Sequence, residues 1–355
     1  MIPERIERLR AIIAEHNLDA MLIVNPENRY YLSGFTGTSG ALLINLNKAY
    51  LLTDFRYAVQ AKEQAADYEI ILFRDHYYEA INDLISSEGW EKIGIESRHL
   101  SCHNLDILKE KLPAQLIQVE ESVEKLRRVK STDEIEQLRE GAKKLDLAYK
   151  WLLEEIKPGR IERELAVELE IFLLRQGAER TSFTFIVASG LRGSMPHGVA
   201  SEKAIGQGEL VTIDFGSVFN KYATDMTRTV AIGAVDERLK EIYDIVRHAQ
   251  EKGFQSIKPG ITAKDADSAA RVIIEEAGYG EFFGHGLGHG IGLETHEQPA
   301  LNKKNEAVLE PGMVITVEPG IYIPDFGGVR IEDMVLVTET GAERLTESTR
   351  ELIII

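Results

Sequence analysis

The stretch that decides the fold runs from residue 210 to 230 and reads LVTIDFGSVFNKYATDMTRTV, with a counterpart at 313–337 that reads MVITVEPGIYIPDFGGVRIEDMVLV. Both stretches are apolar and rich in β-branched residues, yet acids interrupt them, a pattern that predicts buried strands carrying charge. An unpaired buried carboxylate is costly enough to protonate instead, so these acids need a cation. With one histidine from the segment between, they form a predicted set of metal ligands: Asp214, Asp225, His289, Glu318 and Glu332.

The first stretch predicts a β-hairpin. A two-residue turn at 219–220 would place Asp214 directly opposite Asp225, with the Cβ atoms about 5 Å apart on one face. Two bare carboxylates at that spacing repel each other, and a divalent cation between them removes the repulsion. The alternative is a surface hairpin with solvated acids, but strands as apolar as LVTID and RTVAI are seldom fully exposed.

The second stretch has the same layout around Asp325, which would place Glu318 opposite Glu332. The Pro-Gly step after Glu318 can disturb this register, because proline cannot donate to a strand ladder. Glu332 and Asp333 could instead pair with Arg330 at a strand end. In combination with the first hairpin, shared metal ligation is the better account.

The second part of the chain repeats itself. The tetrapeptide IKPG at 156–159 recurs at 257–260, and Asp214 and Glu318 each follow a glycine at the same spacing. A unit made of a helix followed by an acidic strand therefore occurs twice. Two such copies predict a pseudo-symmetric domain with one cleft, to which each half contributes one acidic hairpin.

The segment GHGLGHGIG at 284–292 is built largely of glycine and contains two histidines. Glycines let the backbone approach an ion or substrate closely and adopt positive φ, and His289 would supply the one nitrogen ligand. The segment lacks the GxxxxGK[ST] pattern of a phosphate loop. His197 and His296 would each carry little weight alone, but the clustering of histidines after residue 190 favours a catalytic role for both.

The ligand types indicate the metal. A set dominated by carboxylates, with one histidine, favours manganese, cobalt or iron over a structural zinc site. Two ions are predicted rather than one, because five ligands exceed the needs of a single ion once water and substrate are added. We expect two divalent ions per chain, manganese first, with cobalt, zinc or iron as alternatives.

Composition limits the partners and the location. The chain has 355 residues, which suits two domains, and a net charge of −17, which argues against nucleic acid or an anionic membrane as a partner. The N-terminus is charged and lacks the apolar core of a signal peptide, and no run approaches the roughly 18 apolar residues of a membrane span. The single cysteine, Cys102, cannot form an internal disulfide. These features predict a soluble cytoplasmic protein.

The first third of the chain reads as a small α/β domain. Residues 4–16 space their apolar side chains helically after Pro3, and polar helical candidates follow near 56–65, 78–87 and 103–111. Between them lie short β-rich runs. These runs are AMLIVN at 20–25, ALLIN at 41–45, AYLLT at 49–53, EIILF at 69–73 and KIGIE at 92–96.

After residue 122 the short β-rich runs give way to a long helical pattern, which predicts the start of a second domain. Ser131 and Glu134 form a capping box that opens a helix, and the apolar stripe of this helix ends at 158–159, a Pro-Gly pair. The predicted bounds are an α/β domain at 1–122, a linker at 123–130 and a second domain at 131–355.

The motifs resemble those of the pita-bread metallopeptidases, the family of Xaa-Pro aminopeptidases, prolidases, methionine aminopeptidases and the metal-free creatinase. IDFG, TDMTRT, GHGLGHGIGLETHE, TVEPGIY and GVRIED occur in the family's order and spacing. NPENRYYLSGFTG and TDFRY resemble the creatinase-type N-terminal domain, which a bare methionine aminopeptidase lacks. The resemblance implies an α/β N-terminal domain, an α+β pita-bread catalytic domain with an internal pseudo-two-fold repeat, and a homodimer.

The resemblance also implies a role for each ligand: Asp214 chelates the first ion, Asp225 and Glu332 bridge both ions, and His289 and Glu318 complete the second. Glu318 would also move a proton during attack and product release. His197 and His296 resemble histidines that contact substrate and stabilise the tetrahedral intermediate or the departing prolyl nitrogen. Because all five ligands are kept, hydrolysis is favoured over a metal-free reaction.

One departure from the family pattern bears on substrate length. In many prolidases an arginine follows the HExP motif and can pair with the free carboxylate of a dipeptide, but here Ala300 follows Pro299. The expected function is therefore an Xaa-Pro aminopeptidase acting on proline-containing peptides. Prolidase is the alternative, because Arg330 could bind the substrate in place of the missing charge. A methionine aminopeptidase-like enzyme and a non-catalytic pita-bread binding module are weaker alternatives.

Overall fold

The computed structural model describes residues 2–355, which form two compact units. The units divide between Arg127 and Arg128, inside the stretch 123–130 that the sequence predicts as a linker. Part of that stretch is helical rather than extended, since Glu124–Arg127 forms a short helix. Within residues 2–355, every helix is too short or too polar to span a lipid bilayer.

The first unit contains one six-stranded mixed sheet with strand order β4-β3-β2-β1-β5-β6. The strands are β1 Ala20–Ile23, β2 Ala41–Asn45, β3 Ala49–Asp54, β4 Glu69–Phe73, β5 Lys92–Glu96 and β6 Gln115–Val119. The helices are α1 Ile2–Glu15, α2 Pro26–Ser33, α3 Ala58–Gln64, α4 Tyr77–Glu88, α5 Cys102–Lys111 and α6 Glu124–Arg127.

All the β-rich runs predicted in this unit are strands, which confirms the α/β class. Besides α6 in the predicted linker, two elements, α2 and β6, were not predicted. Helix α2 is short and polar and begins with an Asn25 cap followed by proline, so its sequence resembles a turn. Strand β6 reads QLIQV and is half exposed at the sheet edge, so it lacks the continuous apolar run of its neighbours.

The second unit contains four long helices and thirteen short strands. The helices are α7 Thr132–Glu155, α8 Glu162–Arg175, α9 Glu237–Ser256 and α10 Ala263–Glu276. The strands of its first half are β7 Arg180–Thr181, β8 Ile186–Ser189, β9 Leu210–Phe215, β10 Ser217–Phe219, β11 Tyr222–Ala223 and β12 Met226–Ala231. Those of its second half are β13 Gly288–Gly290, β14 Glu297–Leu301, β15 Val314–Val317, β16 Gly320–Ile323, β17 Gly327–Arg330, β18 Asp333–Val337 and β19 Ala342–Arg344.

The predicted internal repeat is confirmed by equivalent backbone contacts in the two halves. Helices α8 and α10 begin with the same pair of hydrogen bonds: Glu162 N to Lys203 O and Arg163 N to Ser201 O in one half, Ala263 N to Ala307 O and Lys264 N to Asn305 O in the other. The glycines that end the two IKPG motifs, Gly159 and Gly260, share a φ of 86°. The second unit is therefore a pseudo-symmetric domain.

Each half has its own apolar core behind its acidic strands. In the first half, α7 begins at the predicted capping box of Ser131 and Glu134 and, with α8, packs against β9 and β12. In the second half, α9 and α10 pack against β15, β17 and β18. The two cores fix the strand ends that carry the predicted ligands.

The predicted register of the first hairpin is wrong. Asp214 lies opposite Thr227 rather than Asp225, because the turn falls at Asn220 and Lys221, one residue later than predicted. Both turn residues have positive φ, 48° and 74°, as a type I′ turn requires, and asparagine tolerates that conformation better than most residues.

The predicted register of the second hairpin is confirmed. Strands β16 and β17 pair Gly320 with Arg330, and strands β15 and β18 pair Val317 with Asp333. The same register holds on both sides of Pro319, so the proline does not shift it. Glu318 and Glu332 consequently lie opposite each other between the two ladders.

Candidate metal centre

All eight residues singled out as candidate site residues line one cavity of about 610 Å³ in the second unit. These residues are His197, Asp214, Asp225, His289, His296, Glu318, Arg330 and Glu332. Asp214 lies near the end of β9, Asp225 and Glu332 directly precede β12 and β18, Glu318 directly follows β15, and His289 lies in β13. Strand ends from both halves therefore converge on one site.

The ligand atoms lie close enough to share a metal ion. Asp225, His289 and Glu332 each offer one atom, and these atoms all lie within 4.8 Å of one another. His289 Nε2 is 3.7 Å from Asp225 Oδ2 and 3.4 Å from Glu318 Oε1. The other ring nitrogen, Nδ1, lies 3.0 Å from the carbonyl oxygen of Gly290. A carbonyl can only accept, so Nδ1 carries the proton and Nε2 directs its lone pair at the carboxylates.

Three buried carboxylate oxygens at this site have no hydrogen-bond partner among the described residues: Asp214 Oδ1, Asp225 Oδ1 and Glu332 Oε1. An unsatisfied buried acceptor costs about 1–3 kcal/mol, and more when it is charged. Three such atoms in one cavity, beside an imidazole lone pair, are what a divalent cation with oxygen and nitrogen ligands satisfies. The residues present thus fit a metal centre.

The electrostatics lead to the same conclusion. Burial, together with the charge of Glu332, raises the pKa of Asp225 well above its usual range, and burial with the charge of Glu318 does the same for the pKa of Glu332. Burial also raises the pKa of Glu318 and lowers the pKa of His289. These raised pKa values favour the protonated forms of Asp225, Glu318 and Glu332, and a bound cation favours their ionised forms.

The glycines around His289 serve strand packing rather than positive φ. A Cβ on Gly288 would lie 2.1 Å from Thr316 O, and one on Gly290 would lie 2.4 Å from Gln298 O. Among the described residues, the glycines with positive φ include none from 284–292, so that part of the prediction is wrong. Strand β13 is extended, and the missing side chains let it fit between β14 and β15.

Arg330 is held by a network at the edge of the site. Its Nη2 donates to Asp214 Oδ2 at 2.5 Å, and its Nη1 donates to Tyr322 Oη at 3.0 Å and to Pro196 O at 3.1 Å. Its Nε donates to Thr227 Oγ1, which in turn donates to Glu332 Oε2 at 2.7 Å. Arg330 therefore pairs with Asp214, while Asp333 pairs with Arg228, so the alternative in which Glu332 and Asp333 pair with Arg330 is wrong.

Two residues of the cavity were missed by the sequence reasoning. Tyr322 Oη lies 2.9 Å from His285 Nε2, and both side chains line the cavity. Burial raises the pKa of Tyr322 to about 12, so its hydroxyl stays protonated at neutral pH. His285 stands in the same glycine-rich segment as His289, which was a usable signal, whereas Tyr322 lies in an ordinary apolar strand and had none.

The two further histidines approach from different segments. The ring centroid of His296 lies 4.4 Å from that of His289, and burial lowers the pKa of His296. His197 lies on the connection between β8 and β9. Ala300 lines the cavity as well, so the residue that departs from the family pattern does face the site.

A pseudo-symmetric domain whose halves converge on a set of four carboxylates and one imidazole defines a metal-binding protein as the class. The comparisons with known proteins identify the family. The model of metallopeptidase family M24 matches residues 136–339, and that of the creatinase/prolidase N-terminal domain matches residues 5–129.

Solved structures extend this similarity over nearly the whole chain. An Xaa-Pro dipeptidase from Bacillus anthracis is 47% identical with a TM-score of 0.98, and each chain covers 100% of the other. A prolidase from Pyrococcus horikoshii is 42% identical with a TM-score of 0.93, covering 99% of this chain and 100% of that one. An X-Pro aminopeptidase from Thermotoga maritima is 38% identical with a TM-score of 0.90, with the same coverage. The chain belongs to metallopeptidase family M24.

Proposed function

We propose that this metallopeptidase is an Xaa-Pro dipeptidase, or prolidase, that works with two divalent metal ions. Two of the structures compared above are named as a dipeptidase and a prolidase, at 47% and 42% identity, against 38% for the aminopeptidase. These comparisons favour the alternative function over the Xaa-Pro aminopeptidase that Ala300 suggested. A methionine aminopeptidase-like enzyme is disfavoured because residues 5–129 match the creatinase/prolidase N-terminal domain.

The observation that carries the proposal is the position of Arg330. Of the described residues that line the cavity, it is the single Arg or Lys. A guanidinium has five N–H donors, and four of those of Arg330 have partners among the described residues. One Nη2 donor is left, and a guanidinium is well suited to a carboxylate. Arg330 can thus bind the free carboxylate of a dipeptide, the charge that Ala300 does not supply.

The residues that would hold the ions are Asp214, Asp225, His289, Glu318 and Glu332. Bound divalent ions lower the pKa of water and polarise the scissile carbonyl. Manganese is the first expectation, because carboxylates outnumber the imidazole.

The surrounding side chains have complementary tasks in the proposal. Thr316 Oγ1 donates to Glu318 Oε1 at 3.1 Å and accepts from the His289 backbone N–H, so one hydroxyl fixes both residues. Glu318 takes the proton of the attacking water and returns it to the departing nitrogen. His197 and His296 donate to the substrate carbonyl oxygen as it gains charge, or to the prolyl nitrogen.

The Xaa-Pro aminopeptidase remains the second candidate, and Ala300 favours it. A small neutral side chain at the cavity wall leaves room for a residue after proline. A homodimer and a cytoplasmic location stay predictions of the sequence and the family resemblance.

Substrate length separates the two candidates. Rates are measured for Ala-Pro, for the tripeptide Ala-Pro-Ala and for Ala-Pro amide, which lacks the free carboxylate, with the manganese-loaded protein. A prolidase should show kcat/KM for Ala-Pro at least about 10-fold above that of the other two, since a lost charge-assisted hydrogen bond is worth about 1.5–3 kcal/mol. Equal or faster cleavage of the tripeptide would contradict the prolidase assignment and support the aminopeptidase.

A further inference from the structure

His197 lies on a surface loop that is fastened at both ends to one carboxylate. We call residues 190–200 the His197 loop; it leaves β8 after Ser189 and ends before Ser201. The carboxylate belongs to Glu162, the first residue of α8, whose side chain is fully buried. Nothing in the sequence distinguishes Glu162 from the other glutamates of that helix.

Glu162 accepts five hydrogen bonds from the loop and its two ends. Its Oε1 accepts from Ser189 N at 2.8 Å and from Ser189 Oγ at 2.7 Å. Its Oε2 accepts from Arg192 Nε at 2.9 Å, from Ser201 N at 3.1 Å and from Ser201 Oγ at 2.6 Å. A carboxylate can accept about four bonds in ideal directions, so its capacity is filled by these donors.

The middle of the loop reaches the metal centre. His197 and Val199 line the cavity, and the carbonyl oxygen of Pro196 accepts from Arg330 Nη1 at 3.1 Å. Arg192, which bonds to Glu162 through Nε, also donates to the carbonyl oxygen of Val199 through Nη2 at 2.5 Å. A shift at the fastened ends would therefore move His197 and the partner of Arg330 together.

The other half of the domain shows that the helix itself does not need this carboxylate. The residue equivalent to Glu162 is Ala263, which opens α10 with the same backbone hydrogen bond. An acid in the first turn stabilises a helix through its dipole, but all five donors to Glu162 lie outside α8. The hydrogen bonds of Glu162 therefore stabilise the position of the His197 loop rather than the start of α8.

We propose that Glu162 is a positioning residue for the peptidase reaction, which holds the His197 loop so that His197 and the Pro196 carbonyl face the cavity. This inference rests on the proposed contact of His197 with the substrate. A displacement of about 1 Å at such a contact can lower a rate by about 10²-fold.

The test combines two readouts on Glu162→Gln, which keeps the size of the side chain but turns one acceptor into a donor. The first readout needs neither metal nor substrate: tryptic cleavage after Arg192 should become at least about 10-fold faster, because local opening exposes the loop. The second is kinetic: kcat for Ala-Pro should fall by about 10-fold or more, and by a larger factor than any rise in KM.

A double-mutant cycle with His197→Ala shows whether the kinetic effect acts through His197. In the His197→Ala background, Glu162→Gln should lower kcat several-fold less than it does when His197 is present, because the Pro196 carbonyl is then the one positioned group that remains. The matched control is Glu134→Gln, which alters another buried glutamate in the first turn of a helix, hydrogen-bonded to Tyr222. It should leave cleavage after Arg192 unchanged.

Ser201→Ala is a milder variant, in case Glu162→Gln does not fold: it removes one side-chain bond to Glu162 and the bond from the Lys203 backbone N–H to Ser201 Oγ. It should accelerate cleavage after Arg192 by about threefold, in line with a loss of about 0.5–1.5 kcal/mol. Unchanged cleavage in both variants, or an equal kinetic effect with and without His197, would overturn the inference. Full activity of His197→Ala alone would instead overturn the substrate contact assigned to His197 under the proposed function, while the cleavage readout still judges the loop contact.

Discussion

The two halves of the second unit have equivalent backbone folds, but different side chains hold their active-site segments in place. In the first half, Glu162 at the start of α8 holds the His197 loop. In the second half the equivalent position is Ala263, and the task passes to Asp267, one turn further along α10. Asp267 accepts from Leu287 N at 3.0 Å and pairs with Arg271, which donates to the carbonyl oxygens of Phe283 and His285.

This difference separates what the repeat fixes from what each half adds. The repeat places Asp214 and Glu318 at matching strand ends, which gives each half one equivalent ligand. The buried carboxylates behind them sit at different positions, so the histidine segments that they hold are asymmetric. A symmetric scaffold can thereby place the metal ligands while separate contacts place the groups that meet the substrate.

The largest effect should come from single substitutions of the two equivalent ligands, Asp214 in the first half and Glu318 in the second. Asp214→Asn and Glu318→Gln should each lower kcat/KM for Ala-Pro by roughly 10³-fold, about 4 kcal/mol of transition-state stabilisation, because each removes an anionic ligand. Metal analysis should show fewer than two ions per chain for both variants. A variant that keeps both ions and most of its activity would break the equivalence of the two halves.

The next largest effect should come from Asp267, the buried carboxylate that holds the histidine segment of the second half. Asp267→Asn should lower the free energy of unfolding by about 3 kcal/mol, because it leaves the buried guanidinium of Arg271 without its carboxylate. Urea denaturation measures the change. Asp265→Asn, at an exposed acid on the same helix, is the control and should cost less than about 1 kcal/mol. An equal loss of unfolding free energy in the two variants would show that the buried pair of Asp267 with Arg271 contributes no more than an exposed acid.

A smaller effect is expected from the glycines of the second half. Gly288→Ala should destabilise the protein by about 2 kcal/mol, because the new Cβ would lie 2.1 Å from Thr316 O. Gly284→Ala is the matched control, since nothing lies within 4 Å of its Cβ position, and it should change the stability by less than about 1 kcal/mol. Thermal unfolding of the two variants decides the point; the same melting temperature for both would contradict the close strand contact.

The smallest effect concerns substrate choice. Ala300→Arg should raise the preference for Ala-Pro over Ala-Pro-Ala by about 10-fold, because a second guanidinium at the cavity can pair with the dipeptide carboxylate. Ala300→Met, which adds length without charge, is the control and should not raise this preference. If the methionine variant matches the arginine variant, space rather than charge selects the substrate length.

The ligands and the repeat were predictable because a buried charge can be recognised in the sequence from the apolar residues on either side of it. An acid inside an apolar strand is unusual, and the same spacing around Asp214 and Glu318 made the two halves comparable. The register of the second hairpin also followed from its symmetric turn at Asp325. The first hairpin was misjudged because its Asn-Lys turn is a weaker signal than Asn-Gly, and a shift of one residue in the turn moves the pairing by two.

The supporting contacts were not predictable, since they depend on segments that meet only in three dimensions. Glu162 looks like a solvated acid at a helix start, and its five donors come from residues 27 to 39 positions later in the chain. Tyr322 looks like an ordinary strand residue until Arg330 and His285 approach its hydroxyl. Side chains of this kind are visible only once the fold is known.

The central claim is that the two halves together build a two-ion centre on which peptide hydrolysis depends. The most direct measurement is a calorimetric titration of chelator-treated protein with manganese, followed by assay of Ala-Pro hydrolysis at each step. The account predicts two equivalents bound per chain and activity that appears only as they bind. Full activity of the metal-free protein, or no stoichiometric binding of manganese, cobalt, zinc or iron, would contradict it.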